Sequence, residues 1–349
     1  MTEQELLFFI GADSLTLVQA MQKIDENTNG ILFLVNNANQ LIGCITDGDI
    51  RRFLLAGGRI EDSVTRAANM HPKYAYTVEE ARNLYHKRDF IVIPILDENR
   101  HIVDLFTGSG KAKEKHVALS IPVVINAGGR GTRLDPFTRV LPKPLIPVGD
   151  LPIIEHIMKE FQSYSCEEFH VIVNYKKELM KAYFAESENR YDIKWYDEMN
   201  PLGTGGGLSL LRGRINEAFF FTNSDNLLQA NYERMLEFHK ENGNVITMVC
   251  AYKNFSIPYG VVEMGVNGKI ENMKEKPLVS FLANTGTYIV EPKVLNDIED
   301  NVAIGFPDVV EKQRKNGRKV AVFPVSESEW MDMGQLNELE KMRKKLYGE

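Results

Sequence analysis

Residues suited to phosphate chemistry concentrate in one stretch, INAGGRGTRLDPFTRVLPKPLIPVGDLPII (125–154). An apolar run, IPVVI (121–125), ends in Ala127-Gly128-Gly129-Arg130-Gly131-Thr132. Glycines let a backbone approach a ligand closely and turn its N–H groups toward phosphate oxygens. No Gly-Lys-Ser/Thr follows, so this is not a Walker A loop, and the spacing is not G-x-G-x-x-G either. Two cations flank the loop, Arg133 and Lys143, the second between Pro142 and Pro144, which hold its backbone extended. Further on, Asp225 follows the apolar run AFFFTN (218–223). That is the carboxyl end of an expected strand, where open α/β sheets bind ligands. A lone aspartate there serves equally well as a turn residue or helix N-cap.

These residues need a sheet to hold them. Besides 121–125 and 218–223, buried-strand candidates are FHVIVN (169–174), VITMVCAY (245–252), TGTYIV (285–290) and KVAVFP (319–324), with helical patterns at 153–164 and 231–241. Strands alternating with helices predict an α/β sheet, largely parallel and covered on both faces. Leu336, Leu339, Met342 and Leu346 recur at helical spacing and read as a packing face. The first third has another texture. Shifted by 61 residues, 14–49 falls on 75–110 without a gap: Thr16 meets Thr77, Ala20 meets Ala81, Ile31–Val35 meets Val92–Leu96, and Thr46 meets Thr107. Each copy reads helix, strand, polar turn, strand, helix start, as a duplicated unit would. The stretch GSGKAKEKH (108–116) then reads as a linker.

The chain has 349 residues, which suggests two domains at ~150 residues each. Apolar residues are 44% and charged residues 26%, a globular balance that argues against general disorder. The net charge of −7 gives no electrostatic reason to expect nucleic-acid binding, so positive charge for an anionic ligand must be local. Cys44, Cys166 and Cys250 are scattered in apolar stretches and read as thiols of a reducing compartment, not as a disulfide frame or zinc site. The opening MTEQELLFFIG lacks the basic region and cleavage site of a signal peptide. No apolar run approaches the ~20 residues of a membrane span. A cytoplasmic location, without membrane or nucleic-acid partners, is the expectation.

The order A-G-G-x-G-T-R-L-x-P-x-T, then P-K-P-L-x-P-V and P-I-I (127–154), resembles the signature of the sugar-1-phosphate nucleotidyltransferases. The resemblance continues through LGTGGGL (202–208), NSD (223–225), YGVV (259–262), EKP (275–277), NTGTYIV (284–290) and WMDMG (330–334), covering about 120–349. It implies a Rossmann-like, GT-A-like α/β domain with a mixed, mostly parallel sheet. It also implies the reaction of an NTP with a sugar 1-phosphate to give an NDP-sugar and pyrophosphate. Both reactants are anions, so alignment and charge neutralisation matter more than covalent catalysis. By resemblance, Arg133 holds the triphosphate and the leaving pyrophosphate, and Lys143 neutralises the α-phosphate. Ala127, Gly128, Gly129, Gly131 and Thr132 contact the nucleotide, with Gly203 and Thr204 near the base. Here the chain reads Gly-Thr-Gly-Gly (203–206) where the family commonly has Gly-Thr-Ala-Gly. Gly260, Glu275, Lys276, Asn284 and Thr285 match the sugar-phosphate positions. Asp225 and Asp332 match the ligands of Mg²⁺, which needs only one or two protein carboxylates beside phosphates and water.

The repeated part resembles a tandem pair of CBS domains, an α+β regulatory module. The expected division is a CBS pair at 1–115 (repeats about 1–57 and 58–115), a linker at 108–118 and the transferase at 119–349. Gly43-Cys44-Ile45-Thr46-Asp47-Gly48-Asp49 matches the family's G-h-x-T-x-x-D, which implies adenosine-nucleotide binding by Thr46 and Asp49. The second copy, Asp104 to Gly110, keeps Thr107 but lacks the glycine and aspartate, so one competent site is expected. Asp49 is equally suited to cap the helix IRRFLLAG (50–57). Such modules commonly pair between subunits, which implies a homo-oligomer, most simply a homodimer. The domain combination resembles the guanylyltransferases of legionaminic acid and related surface-sugar pathways, implying GTP as donor and glucosamine 1-phosphate as acceptor. A uridylyltransferase, and mannose or heptose 1-phosphate as acceptor, stay open. A reading of another class is a nucleotide-sensing regulatory protein with an inactive transferase domain. The joint presence of Arg133, Lys143, Asp225 and Asp332 argues against it.

Overall fold

The computed structural model describes residues 6–27, 29–87, 92–107, 117–188 and 191–347; the expected linker 108–116 lies outside the described residues. Contacts divide the chain into two units. One combines Met1–Glu114 with Lys253–Phe281 and Ser326–Ser328; the other combines Lys115–Tyr252, Leu282–Val325 and Glu329–Glu349. Among the described residues no helix is long and apolar enough to cross a membrane.

In the first unit, helix Leu17–Asn27 buries Leu17, Ala20, Met21 and Ile24 at helical spacing. Strand Ile31–Val35 pairs antiparallel with Leu41–Thr46 and parallel with Ile10–Ala12. The second repeat gives helix Val78–Lys87 and the antiparallel pair Val92–Leu96 and Ile102–Thr107. Residues 61 apart take matching conformations. The register shifts between Leu34 and Val35 in one hairpin and between Ile95 and Leu96 in the other. Asn36 Oδ1 accepts from Ala38 and Gln40 N–H, as Asp97 Oδ1 accepts from Asn99 and His101 N–H. Asn39 and Arg100 both have positive φ. Gln40 and His101, equivalent under the shift, form a bridge to each other. Phe33, Val35 and Leu41 share one core with Val92, Leu96, Ile102 and Leu105. The same unit carries the antiparallel ribbon Val261–Met264 and Ile270–Lys274.

The second unit is built on a mixed seven-stranded sheet. Its strand order is Asp192–Asp197, Glu168–Val173, Val123–Asn126, Phe219–Asn223, Leu278–Val290, Ile246–Ser256, Val320–Val325. The first four are mutually parallel. Leu278–Val290 runs antiparallel to Phe219–Asn223, and Val320–Val325 is parallel to Ile246–Ser256. The FFFTN run shows why the sheet is covered on both faces, because alternate residues point to opposite sides. Phe220 packs against Phe161 and Tyr232, each at 5.2 Å between ring centroids. Phe221 turns the other way and meets Phe306 at 4.7 Å. Helix Ile153–Ser163 covers the first face with Ile153, Ile154, Ile157, Met158 and Phe161. Helix Leu336–Tyr347 buries Leu339 and Met342 of the expected stripe, whereas Leu336 is exposed.

Candidate active site

Two neighbouring parallel strands open the site. Asn126 and Asn223 are register partners at their carboxyl ends, so the glycine loop and the turn to Asp225 leave the sheet side by side. Ala127 N–H donates to the Ile172 carbonyl at 2.8 Å, and Tyr175 N–H donates to the Gly128 carbonyl, tying the loop to the next strand. Nothing lies within 4 Å of where a Cβ on Gly129 would stand. The fold leaves that position open to solvent, and the backbone of 129–131 is free to face a ligand.

Gly131 is required by geometry. Its φ is 64°, and a Cβ there would come within 2.8 Å of Lys143 Cβ. The stem of Lys143 runs across that space. Pro142 enters extended and Pro144 sets the short turn Lys143–Leu145, which fixes where the side chain starts. Lys143 is buried, and its ammonium bonds to Asp225 Oδ2. Arg133 and Thr132 are exposed on the loop.

Asp225 meets the other expected carboxylate through a small ribbon. Asn226–Leu228 pairs antiparallel with Trp330–Asp332, Asn226 opposite Asp332, and Met333 N–H donates to the Asp225 carbonyl at 2.8 Å. Below it, Asn226 Oδ1 accepts from the buried hydroxyls of Thr222 and Thr287, which anchors the turn. Burial raises the pKa of Asp332, and the charge of Asp225 raises it further; Lys143, the Gly334 N–H and Arg133 act in the opposite direction. Two carboxylates and two cations are thus gathered, with 82 positions between Lys143 and Asp225. Among the described residues no group of three or more His, Cys, Asp or Glu is placed to hold a metal. The two carboxylate donors suit a hard dication that takes its remaining ligands from phosphates and water.

A candidate site residue that the sequence did not bring out is Glu198. It is 4% exposed, its Oε1 has no hydrogen-bond partner, and burial pushes its pKa up to about 7. A Cβ on Gly128 would stand 2.9 Å from its Oε2, and one on Gly207 would stand 2.5 Å from its Oε1. Both glycine loops are thus shaped around this carboxylate. Its signal was weak: a charged residue at the end of a polar strand, four positions before LGTGGGL.

The expected base-side residues also serve the fold. Thr204 Oγ accepts from Phe306 N–H at 2.9 Å, at the start of helix Phe306–Lys315. Gly203 has φ 76°, and a Cβ there would strike the Ile304 carbonyl at 2.7 Å. Both remain exposed at the surface. The run opens only a six-residue 3₁₀ helix, Gly206–Leu211. Of the sugar-phosphate expectations, Thr285 is buried with its hydroxyl donating to the Val249 carbonyl, and Asn284 donates to Tyr288 Oη at 2.6 Å. Gly260, Glu275 and Lys276 belong to the first unit, exposed beside its ribbon; Lys276 N–H donates to the Tyr259 carbonyl at 3.2 Å. Also in the first unit, Thr46 and Asp49 form a reciprocal capping box on helix Asp47–Leu55. Asp49 Oδ1 additionally bonds to Arg52, so both carboxylate oxygens are engaged.

Comparison with known proteins places this geometry. The nucleotidyl transferase family model matches residues 122–348, and the CBS domain model matches residues 8–56. The chain is 34% identical to mannose-1-phosphate guanylyltransferase 1 of Arabidopsis thaliana over 225 residues, 61% of each chain. It is also 34% identical to the mannose-1-phosphate guanyltransferase of Schizosaccharomyces pombe over 225 residues, 61% of this chain and 60% of that one. The chain thus spans about three fifths of the length of these relatives. Among solved structures it is similar to HddC from Yersinia pseudotuberculosis, with TM-score 0.52 and 21% identity over 64% of this chain and 99% of that chain. It is similar at TM-score 0.50 and 20% identity to a UDP-glucose pyrophosphorylase, over 65% of this chain and 98% of that one. These structural likenesses show a shared fold. The family match runs through the loop, both cations and both carboxylates, and on it the chain belongs to the nucleotidyl transferase family.

Proposed function

We propose that the chain transfers a nucleoside monophosphate from an NTP to a sugar 1-phosphate, releasing pyrophosphate. The carrying observation is the convergence of Lys143, Asp225 and Asp332 beside the glycine loop, at the carboxyl ends of parallel strands. In the reaction a phosphate oxygen of the sugar 1-phosphate attacks the α-phosphorus. The bond from that phosphorus to the bridging oxygen breaks in line, and pyrophosphate leaves with its electron pair. Loop N–H groups of 128–131 orient the triphosphate, and Arg133 faces the leaving pyrophosphate. Lys143 offsets charge at the α-phosphate. Asp225 and Asp332 hold Mg²⁺, which neutralises phosphate charge when bound.

GTP is our choice of donor, supported by Glu198. Guanine presents N1–H and N2–H₂ as adjacent donors, and an ionised carboxylate with a free oxygen accepts both. Uracil offers one such donor between two carbonyls, which would face the carboxylate unfavourably. Glucosamine 1-phosphate remains the proposed acceptor from the domain combination. Mannose 1-phosphate is the second to test, since the curated relatives are named for it. Asn284 and Thr285, and separately Gly260, Glu275 and Lys276, are proposed sugar-phosphate contacts on their motif match. Regulation by an adenosine nucleotide at Thr46 and Asp49 is likewise proposed, and binding there has to displace the capping box. The test of the whole reading is pyrophosphate release from a matrix of NTPs and sugar 1-phosphates with Mg²⁺.

A further inference from the structure

Lys143 holds a position with consequences beyond its expected contact with phosphate. Its amine is bonded to Asp225, one of the two carboxylates suited to a dication; the lysine is buried and the aspartate partly so. The side chain has little freedom to wander. Pro142 and Pro144 fix its backbone, and the bare face of Gly131 receives its stem, with Cβ and Cδ 2.8 and 3.0 Å from where a Gly131 Cβ would stand. Asp332 lies across the ribbon from Asn226, so two carboxylates share this small region. A carboxylate pair left without a counter-charge in a half-buried site is costly.

We propose that Lys143 is the resident counter-ion of the Asp225–Asp332 pair, and that a divalent cation binds only by displacing its amine from Asp225. The inference rests on the proposed metal role of those aspartates. The ammonium occupies Asp225 Oδ2, so a metal that takes this oxygen competes with it directly. The double positive charge of a dication beside that carboxylate also repels the amine. Arrival of the metal therefore releases Nζ, and the released amine is the cation available to an incoming phosphate. A phosphate that accepts the amine in turn frees Asp225. Metal and triphosphate consequently favour each other's binding, and the coupling is reciprocal. Lys143 acts here as a positioning and gating residue, distinct from its contact with substrate.

The test is Mn²⁺ binding to the full chain without nucleotide, followed by electron paramagnetic resonance of free Mn²⁺. Removing the competitor in Lys143→Gln is expected to tighten Mn²⁺ binding about tenfold or more, the scale of one charge-assisted hydrogen bond. Lys143→Arg keeps the charge and is expected to bind Mn²⁺ as weakly as the natural chain. It also keeps the inference testable should the glutamine variant fail to fold, because a tightened site in the arginine variant contradicts competition by charge. Equal or weaker Mn²⁺ binding by a folded Lys143→Gln overturns the proposal. Asp225→Asn separates the two levels. If it abolishes Mn²⁺ binding while Lys143→Gln changes nothing, the metal reading stands and the counter-ion role falls. If Asp225→Asn changes nothing, both fall.

Discussion

At Glu198 burial has moved an ordinary carboxyl to a pKa of about 7, and two glycines keep space around it. The proposed guanine contact needs its ionised form, because only that form accepts two N–H groups. The raised pKa means the acid form dominates below neutrality. GTP binding is therefore expected to weaken about tenfold from pH 8 to pH 6, as the ionised fraction falls. Titration calorimetry at the two pH values checks this, and Glu198→Gln should lose the pH dependence together with about 1–3 kcal/mol of guanine preference. Asp225 tests the other half of the site. Asp225→Asn keeps its shape but loses the charge, and turnover is expected to fall on the order of 10²-fold with Mg²⁺ saturating, measured by steady-state pyrophosphate release. Arg133, Lys143, Asp225 and Asp332 stand out in the sequence because each sits in a motif, and the fold brings Lys143, Asp225 and Asp332 together. The bond between Lys143 and Asp225 was not legible there, since 82 residues of chain separate them and only the sheet brings them together. Glu198 was not, because nothing in its local sequence marks it as buried.

Elements are where the sequence was read most easily. Apolar runs such as FFFTN and FHVIVN became central strands because both faces must be covered. Asp192–Asp197 was missed, and its composition explains why: it is the edge strand, so polar residues such as Asp192 and Lys194 stay exposed and no apolar run forms. The glycines of 203–207 were read as a ligand loop. Several of them are also demanded by packing, against the Ile304 and Val302 carbonyls and Glu198. The loop turn at Gly131 can be tested directly. Gly131→Ala adds a methyl at positive φ and against Lys143, so a loss of about 1–3 kcal/mol in stability is expected by denaturant unfolding, with lowered turnover in whatever remains folded. In the first unit the capping box predicts a smaller effect. Asp49→Ala removes a partner of Thr46 and should cost about 1 kcal/mol, read in the same way. An unchanged unfolding midpoint would show that Asp49 is free for other work.

For the whole molecule, the net charge of −7 gives no hint of the anionic substrates proposed for it. The structure shows why such a sum misleads. Lys143 is buried against an aspartate, and it and Arg133 act on Asp332 over short range. The 61-residue repeat was legible as a pattern and becomes geometry in the matching turns of the first unit, where Gln40 meets His101. The boundary of the two units was less legible, since Lys253–Phe281 clusters with the first while its flanks belong to the second. The central claim remains catalytic. The most direct test mixes the full chain with Mg²⁺, each of GTP, UTP, ATP and CTP, and a panel of sugar 1-phosphates that includes glucosamine and mannose 1-phosphate, and measures pyrophosphate. Release with GTP well above the other nucleotides, and dependent on a sugar 1-phosphate, is the expected result. Absence of release with every pair, from folded protein, would contradict it.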